Sequence, residues 1–294
     1  MTNSLLKRMY RQRWGYYFVL PSLIVFLMFS IFPLAANFFL SFTRYDLVSI
    51  EFTGFGNFLR IFRQSNFLTA LKNTFLYVIG IVPLSIIFTL LVAVFVRKFN
   101  SKAQSFFLFA FYLPTVLSAP IIGTIWVWIY NPIVGPLTKI FAFIGLPRSD
   151  FLGNPDIAIV LIMIVYFTVI FGTPFIIFTA ALNNIPESFY DSANIDGANN
   201  FQVLRYITIP LVKPTTNYLI MTITISVFQI WAIIHIMTGG GPLNKTLNLS
   251  YLMYKTGLLN YEFGIAASQG VILFLIIIII AVNQFRFFSV DFEY

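Results

Sequence analysis

Three stretches of this chain, Tyr16–Thr43, Ile157–Asn183 and Phe263–Asn283, contain no Asp, Glu, Lys or Arg. Each exceeds the roughly 20 apolar residues that carry an α-helix across a hydrocarbon core about 30 Å thick. A water-facing globule could not hide them, because the polar residues needed to coat it are missing. Hydrophobic residues make up 59% of the 294 and charged ones only 10%, against about 25% charged in soluble domains. Mean hydropathy is +0.87. A soluble enzyme, a DNA-binding protein and a disordered chain are excluded, and a polytopic membrane protein is indicated.

Charge-free windows bounded by polar or turn-rich segments predict six spans, at about 16–42, 71–96, 105–130, 157–182, 214–237 and 264–285. The expected fold class is all-α: a cytoplasmic N-terminal segment over 1–15, then one membrane domain of six transmembrane helices over 16–294. Pro114 and Pro120 interrupt the third window, and kinks are expected where neighbours must satisfy the freed carbonyls. Lys7, Arg8, Arg11 and Arg13 precede the first span, whose apolar run is too long for a cleaved leader with a core of about 7–15 residues. It reads as an uncleaved signal-anchor with its N-terminus in the cytoplasm. Arg97, Lys98 and Lys102 between spans two and three agree with the excess of Lys and Arg in cytoplasmic loops. The bias over all loops is weak, so the orientation rests on these first two inside segments. An even number of spans returns the C-terminus to the cytoplasm.

The net charge of +8 comes from Lys and Arg scattered along short loops rather than gathered into a stripe, which fits membrane orientation and not a nucleic-acid partner. All ten acidic residues fall outside the six spans, whereas proton-coupled transporters place ionisable groups within the bilayer. His235, near the outer end of span five, is the one group there that could titrate, and a lone His on such a helix more often packs. An ion-coupled secondary transporter therefore stands as the alternative reading only. No phosphate loop, HExxH motif or Ser/His/Asp set is present, and with no Cys there is no thiolate metal site. No catalytic residue, metal or cofactor is expected on this chain. Energy for driven transport must enter from another polypeptide.

The longest inside loop spans 183–213. Pro186 suits a first helical position, and Glu187 and Asp191 suit the positive end of a helix dipole. Ile185, Phe189, Ala193 and Ile195 give an incomplete apolar face, and Gly197 can adopt positive φ and end the helix. A second helix is expected through Phe201, Leu204 and Ile207 until Pro210 stops it. Two short helices meeting at a glycine form a knob suited to contact in the cytoplasm; the competing reading is an amphipathic hairpin lying on the lipid surface.

This segment resembles the "EAA" loop of bacterial ABC importer permeases: Glu-Ala-Ala, three residues, Gly, nine residues, then Ile-x-Leu-Pro. Here the same spacing holds Asp191-Ser192-Ala193, Gly197 and Ile207-Thr208-Ile209-Pro210, and Ile195-Asp196-Gly197-Ala198 has the form common in carbohydrate permeases. Asp191, Ser192 and Ile209 depart mildly from the pattern. Tyr17–Pro21, Leu40–Thr43, Gly54–Phe58, Leu71–Thr74, Tyr112–Pro114, Trp126–Tyr130 and Thr238–Pro242 are similar, in the same order, to strings in maltose and glycerol-phosphate permeases. The resemblance implies a sugar importer subunit of the bacterial-type inner membrane. It implies that Glu187, Asp191, Ser192, Ala193, Asp196, Gly197 and Ala198 form the contact with a separate ATPase. The implied partners are a second homologous permease, two ATPase subunits carrying ATP and Mg, and an extracellular or periplasmic solute-binding protein that delivers the sugar.

A path for that sugar is sought among polar groups in the spans. Thr222, Ser226 and Gln229 are spaced to share one face of span five, while Thr224 faces elsewhere. Tyr166 and Thr173 share a face of span four, where Gly172 permits close approach. Such groups need partners in hydrocarbon and should face the bundle interior, either as helix–helix glue or as hydrogen-bonding sites for sugar hydroxyls. Trp231, Trp126, Trp128 and Tyr130 are candidates for stacking on sugar rings or for anchoring at the lipid interface. With no fixed positive charge in the interior, a neutral oligosaccharide or polyol is the expected substrate.

Overall fold

The computed structural model describes residues 13–45, 48–145, 147 and 150–287. Lys7, Arg8 and Arg11 of the basic leader lie outside the described residues, as do Asp46, Asp291 and Glu293. The chain divides into two compact units, one from the described parts of Met1–Ile61 with Thr256–Ile272, the other from Phe62–Lys255 with Leu273 onward.

In the first unit, α1 runs through Arg13–Phe26, a π turn at Leu27–Ile31, and Phe32–Ser41. The π turn lies just before Pro33, which has no N–H to offer the Phe29 carbonyl; the Phe32 N–H reaches back to Leu27 instead. The most apolar window of Tyr17–Ser41 is wholly unburied within this chain. A two-stranded antiparallel hairpin follows, β1 (Thr43–Tyr45) on β2 (Ile50–Phe52), then α2 (Gly56–Arg63). The buried Asn57 amide donates to the carbonyls of Ser41 at 3.0 Å and Thr43 at 2.8 Å. Ser268 adds a third bond, to Ser41 at 2.9 Å. The Gly54–Phe58 and Leu40–Thr43 strings thus belong to one device that closes the end of α1.

The second unit is arranged around α3 (Ser65–Val96), whose buried residues Phe67, Ala70, Thr74, Tyr77, Ile81, Ser85, Thr89, Ala93 and Val96 recur at helical spacing. After it come α4 (Ser101–Val116), α5 (Ala119–Ile129), α6 (Pro136–Phe143), α7 (Ala158–Ile170), α8 (Gly172–Asn183) and α9 (Glu187–Ile195). Then α10 runs through Asn200–Val203, a π turn at Leu204–Thr208, and Ile209–Leu211, followed by α11 (Lys213–Phe228), α12 (Ala232–Met237) and α13 (Leu249–Tyr254). The last helix is α14 (Phe263–Phe287). Helices α7, α8, α11 and α13 pack against α3, and α12 packs against α5.

Three helices are long and apolar enough to cross a membrane singly: Tyr17–Ser41, Ser65–Val96 and Phe263–Arg286. Two more candidates are bent pairs, α4 with α5 at 97° and α7 with α8 at 49°. The expected third span is therefore not a kinked helix but two helices meeting at Leu117, whose backbone is extended (φ −76, ψ 143), with Pro120 in the first turn of α5. The fourth bends at Phe171 because Pro174 cannot donate to the Ile170 carbonyl. The fifth does not run through either. It stops at Phe228 and resumes at Ala232, with Trp231 off the helical region (φ −140, ψ −44).

Side chains from other segments cover the backbone at these breaks. Thr115 donates to the Val169 carbonyl at 3.1 Å, Ser250 to Phe228 at 2.8 Å, and Asn248 to Ile230. Gly172 permits the first of these contacts, since a Cβ there would lie 2.5 Å from the Thr115 hydroxyl and 2.8 Å from the Phe111 carbonyl oxygen. Gly172→Ala should lower stability by about 1–3 kcal/mol through overpacking, read as a reduced unfolding midpoint in detergent. Gly15→Ala, where nothing lies within 4 Å of the added methyl, should leave the midpoint unchanged.

Candidate functional site

The knob forms as two short helices, with Pro186 serving as N-cap rather than first helical residue. Asp196 caps the far end of α9; Gly197 then takes φ +72, its N–H bonding Asn194 at 3.1 Å, while the Ala198 N–H bonds Ala193 at 2.9 Å. This paired closure needs a left-handed residue, which glycine supplies without strain. Asn199 and Gln202 then form a reciprocal capping box that starts α10. Pro210 does not stop this helix: the π turn at Leu204–Thr208 absorbs the proline, the Ile209 N–H bonding Leu204, and the helix runs on to Leu211.

The expected apolar face of α9 divides. Ile185 and Ala193 are buried, but Phe189 is 48% and Ile195 86% exposed, beside Phe201 at 69%. Glu187, Asp191, Ser192, Asp196 and Gly197 are exposed, and Ala198 is half-buried. Beneath α9, a cavity of about 640 Å³ is lined by Glu187, Asp191 and Asn194 on one side and by Arg97 and Lys98 at the end of α3 on the other. Neither carboxylate pairs with either cation; the ion pair found among the described residues is Arg60–Glu262. The Arg97 guanidinium instead lies 4.2 Å over the Tyr190 ring, and the Lys98 ammonium bonds the Asn200 side chain at 3.4 Å.

Four of the five expected path residues come together. Thr173, Thr222 and Ser226 line a cavity of about 280 Å³ with Thr115, Tyr218 and aliphatic side chains, and no charged residue lines it. The Tyr166 hydroxyl donates to the Ser226 carbonyl at 3.1 Å, tying α7 to α11. Thr222 and Ser226 donate their hydroxyl protons to carbonyls one turn back on α11, which leaves their lone pairs free to accept. Gln229 is different. It follows the last turn of α11 and is exposed outside this cavity, so the shared-face spacing does not reach it. Thr224, on another face as expected, accepts a bond from Gln284 at 3.3 Å.

The sequence did not reveal a second polar assembly. Asn73 donates to the carbonyls of Asn244 (3.0 Å) and Leu247 (2.8 Å), the Thr74 hydroxyl accepts from the Leu249 N–H (2.9 Å), and the Tyr77 hydroxyl donates to Thr246 (3.1 Å). The Leu71–Thr74 string thus holds the segment 244–249, whose Thr246 hydroxyl in turn bonds Thr238 and the Gly241 carbonyl of the Thr238–Pro242 string. The signal was available: an Asn-Thr pair inside an apolar helix demands partners. Beyond this turn His235 shares a hydrogen bond with the Tyr251 hydroxyl at 3.2 Å, and Trp231 stacks on Tyr254 at 4.6 Å. Burial, with Tyr254 beside it, pushes the Tyr251 phenol up, so it stays protonated at neutral pH. Among the described residues no cluster of three His, Cys, Asp or Glu could hold a metal.

Comparison with known proteins finds relatives over most of the chain. The family described as binding-protein-dependent transport system inner membrane component matches residues 85–292. The chain is 31% identical to the "Probable ABC transporter permease protein YesP" of Bacillus subtilis over 279 residues, covering 92% of this chain and 89% of the relative. It is 30% identical over 276 residues to the sn-glycerol-3-phosphate transport system permease protein UgpA of Agrobacterium fabrum, covering 92% and 93%. In fold it is similar to a chain of a bacterial alginate ABC transporter, crystallised with an alginate pentasaccharide-bound periplasmic protein. There the TM-score is 0.84 with 24% identity, covering 96% of each chain.

Asn73→Leu would strip the Asn244 and Leu247 carbonyls of their buried donor, at about 1–3 kcal/mol. The turn should then open locally, and trypsin should cut after the exposed Lys245 much faster than in the parent chain.

Proposed function

The chain belongs to the family of binding-protein-dependent transport system inner membrane components, and from that premise we infer that it is the membrane-spanning subunit of an ATP-driven importer that moves a neutral sugar or polyol into the cytoplasm. The observation that carries this reading is the knob: an exposed short helix, closed by Gly197 at positive φ, presenting Glu187, Asp191, Ser192 and Asp196 above a mixed-charge cavity. On this reading the knob is the contact with a separate ATPase subunit, where ATP and Mg bind and hydrolysis occurs. Two such ATPases, a second homologous permease and a solute-binding protein complete the importer. The family assignment leaves the ion-coupled alternative without support.

The cavity between α7, α8 and α11 is the proposed path. Its size, just below the smallest usual ligand clefts of about 300 Å³, suits one sugar ring at a time. Thr173, Thr222 and Ser226 offer it hydroxyl oxygens, with Tyr166 fixing the wall behind them; Gln229 stands outside. The relative in Agrobacterium fabrum is named for sn-glycerol-3-phosphate, but a phosphate needs a cation and none lines this cavity. A neutral substrate is the better fit.

Six crossings are proposed, with both termini in the cytoplasm: the three single helices, the two bent pairs, and α11 with α12 as a broken sixth. Cysteines replacing Ser101 and Asn194 should react with membrane-impermeant thiol reagents only in inside-out vesicles, and one replacing the exposed Leu243 only from outside. Reaction of the Asn194 position from outside would overturn the orientation and the coupling role together.

Energy coupling is tested at Gly197. Valine cannot hold φ +72 without strain of about 1–3 kcal/mol, whereas asparagine tolerates that region. Gly197→Val should abolish uptake in an inserted protein while Gly197→Asn retains most of it. Normal uptake by the valine variant would sink the coupling assignment.

A further inference from the structure

The knob is pinned to the helices beneath it rather than packed against them. A cavity of about 640 Å³ is lined by residues of α9 and of the end of α3, and the chain joins α9 to α8 by a three-residue link, whereas α3 meets the knob only through side chains. Among the described residues, two contacts cross from the end of α3 to the knob: the Lys98 ammonium on the Asn200 side chain at 3.4 Å, and the Arg97 guanidinium on Tyr190, which alone reaches α9. The Tyr190 ring lies under the Arg97 guanidinium at 4.2 Å, and its hydroxyl lies 3.5 Å from the Thr208 hydroxyl in the π turn of α10. Arg97 is itself anchored, its carbonyl accepting from the Gln104 amide of α4 at 3.2 Å.

We propose that Tyr190 is a joint through which a displacement of α9 reaches α3, with Arg97 at the C-cap of α3 and Thr208 on α10 as its two sockets. This rests on the coupling reading of the knob and names how the motion leaves it. A cation over a ring is a directional contact that tolerates sliding better than interdigitated side chains do. The open cavity beside it leaves the knob room to rock. Because Arg97 faces the ring, Glu187 and Asp191 keep their charges unpaired for the ATPase. From the joint, α3 leads directly to α8 and α11, which it packs against and which carry Thr173, Thr222 and Ser226. Tyr190 and Arg97 are positioning residues, touching neither sugar nor nucleotide.

The test uses the full complex in proteoliposomes, with complex yield, basal and binding-protein-stimulated ATP hydrolysis, and uptake measured on one preparation. Tyr190→Leu and Arg97→Gln should each assemble and keep basal hydrolysis, yet lose about tenfold in sugar imported per ATP hydrolysed, the scale of a lost cation–ring contact. Tyr190→Phe, which keeps the ring on Arg97 but loses the hydroxyl contact with Thr208, should lose less than Tyr190→Leu, and the double variant of Tyr190→Leu with Arg97→Gln should be no worse than either single one. Full uptake by Tyr190→Leu, or losses that multiply in the double variant, would overturn the joint. Should Tyr190→Leu fail to assemble, Arg97→Gln decides alone, and normal uptake by it refutes the proposal. A cysteine at the exposed Ile195 position in the otherwise unaltered chain separates the two readings. Without a cross-link from it to the ATPase the knob assignment fails and the joint falls with it. With a cross-link and unaffected joint variants, only the joint fails.

Discussion

Hydrocarbon offers no hydrogen bonds, so every backbone group the chain leaves unpaired at membrane depth must find a partner inside the protein. This constraint organises the molecule, because its helices break where uninterrupted ones would have been simplest. Each break exposes carbonyls, and for most a short polar side chain from elsewhere meets them: Asn57 and Ser268 at the end of α1, Thr115 at the bend between α7 and α8, Ser250 and Asn248 between α11 and α12. These residues act on backbone, not on one another. They explain why polar residues occur inside apolar helices without forming a charge pathway.

Pro21, Pro83 and Pro114 sit within helices that run on, and four other prolines are met in two ways. Before Pro33 and Pro210 the helix widens into a π turn and continues, passing the displaced hydrogen bond one residue further. At Pro120 and Pro174 the axis turns instead, by 97° and 49°. The second course sets helix halves at angles beside the small hydroxyl-lined cavity; the first keeps α10, the knob's second helix, continuous. Rigid elements joined by a few directional contacts can move as levers, which is the mechanical property an ATP-driven subunit requires.

The two cavities differ in chemistry as their proposed roles do. At the knob, Glu187, Asp191, Arg97 and Lys98 line one cavity without forming an ion pair. In the proposed path, the Thr222 and Ser226 hydroxyls have already given their protons to the helix and present lone pairs. Such a wall accepts bonds from a neutral polyol and holds it weakly, and weak holding suits passage rather than storage.

Much of this was legible in the residues alone. Apolar runs free of charge dictate membrane helices through a bulk transfer energy, and Gly197 dictates a turn through its own backbone freedom, so both could be read locally. The grouping of Thr173, Thr222, Ser226 and Tyr166 also followed from helical spacing. What spacing could not supply was where a helix would stop. Gln229 fits the stripe of Thr222 and Ser226 by number, yet α11 ends at Phe228 because Ser250 and Asn248, some twenty residues later, make ending there tolerable. Likewise Asn73 and Thr74 could be seen to need partners, but not that the partners lay at Asn244, Leu247 and Leu249, just after the glycine-rich turn. Arg97 chose the Tyr190 ring over two nearby carboxylates. Local propensity and lipid solubility were written in the sequence; the choice among possible hydrogen-bond and ring partners depended on which distant segments met, and only the tertiary structure decided that.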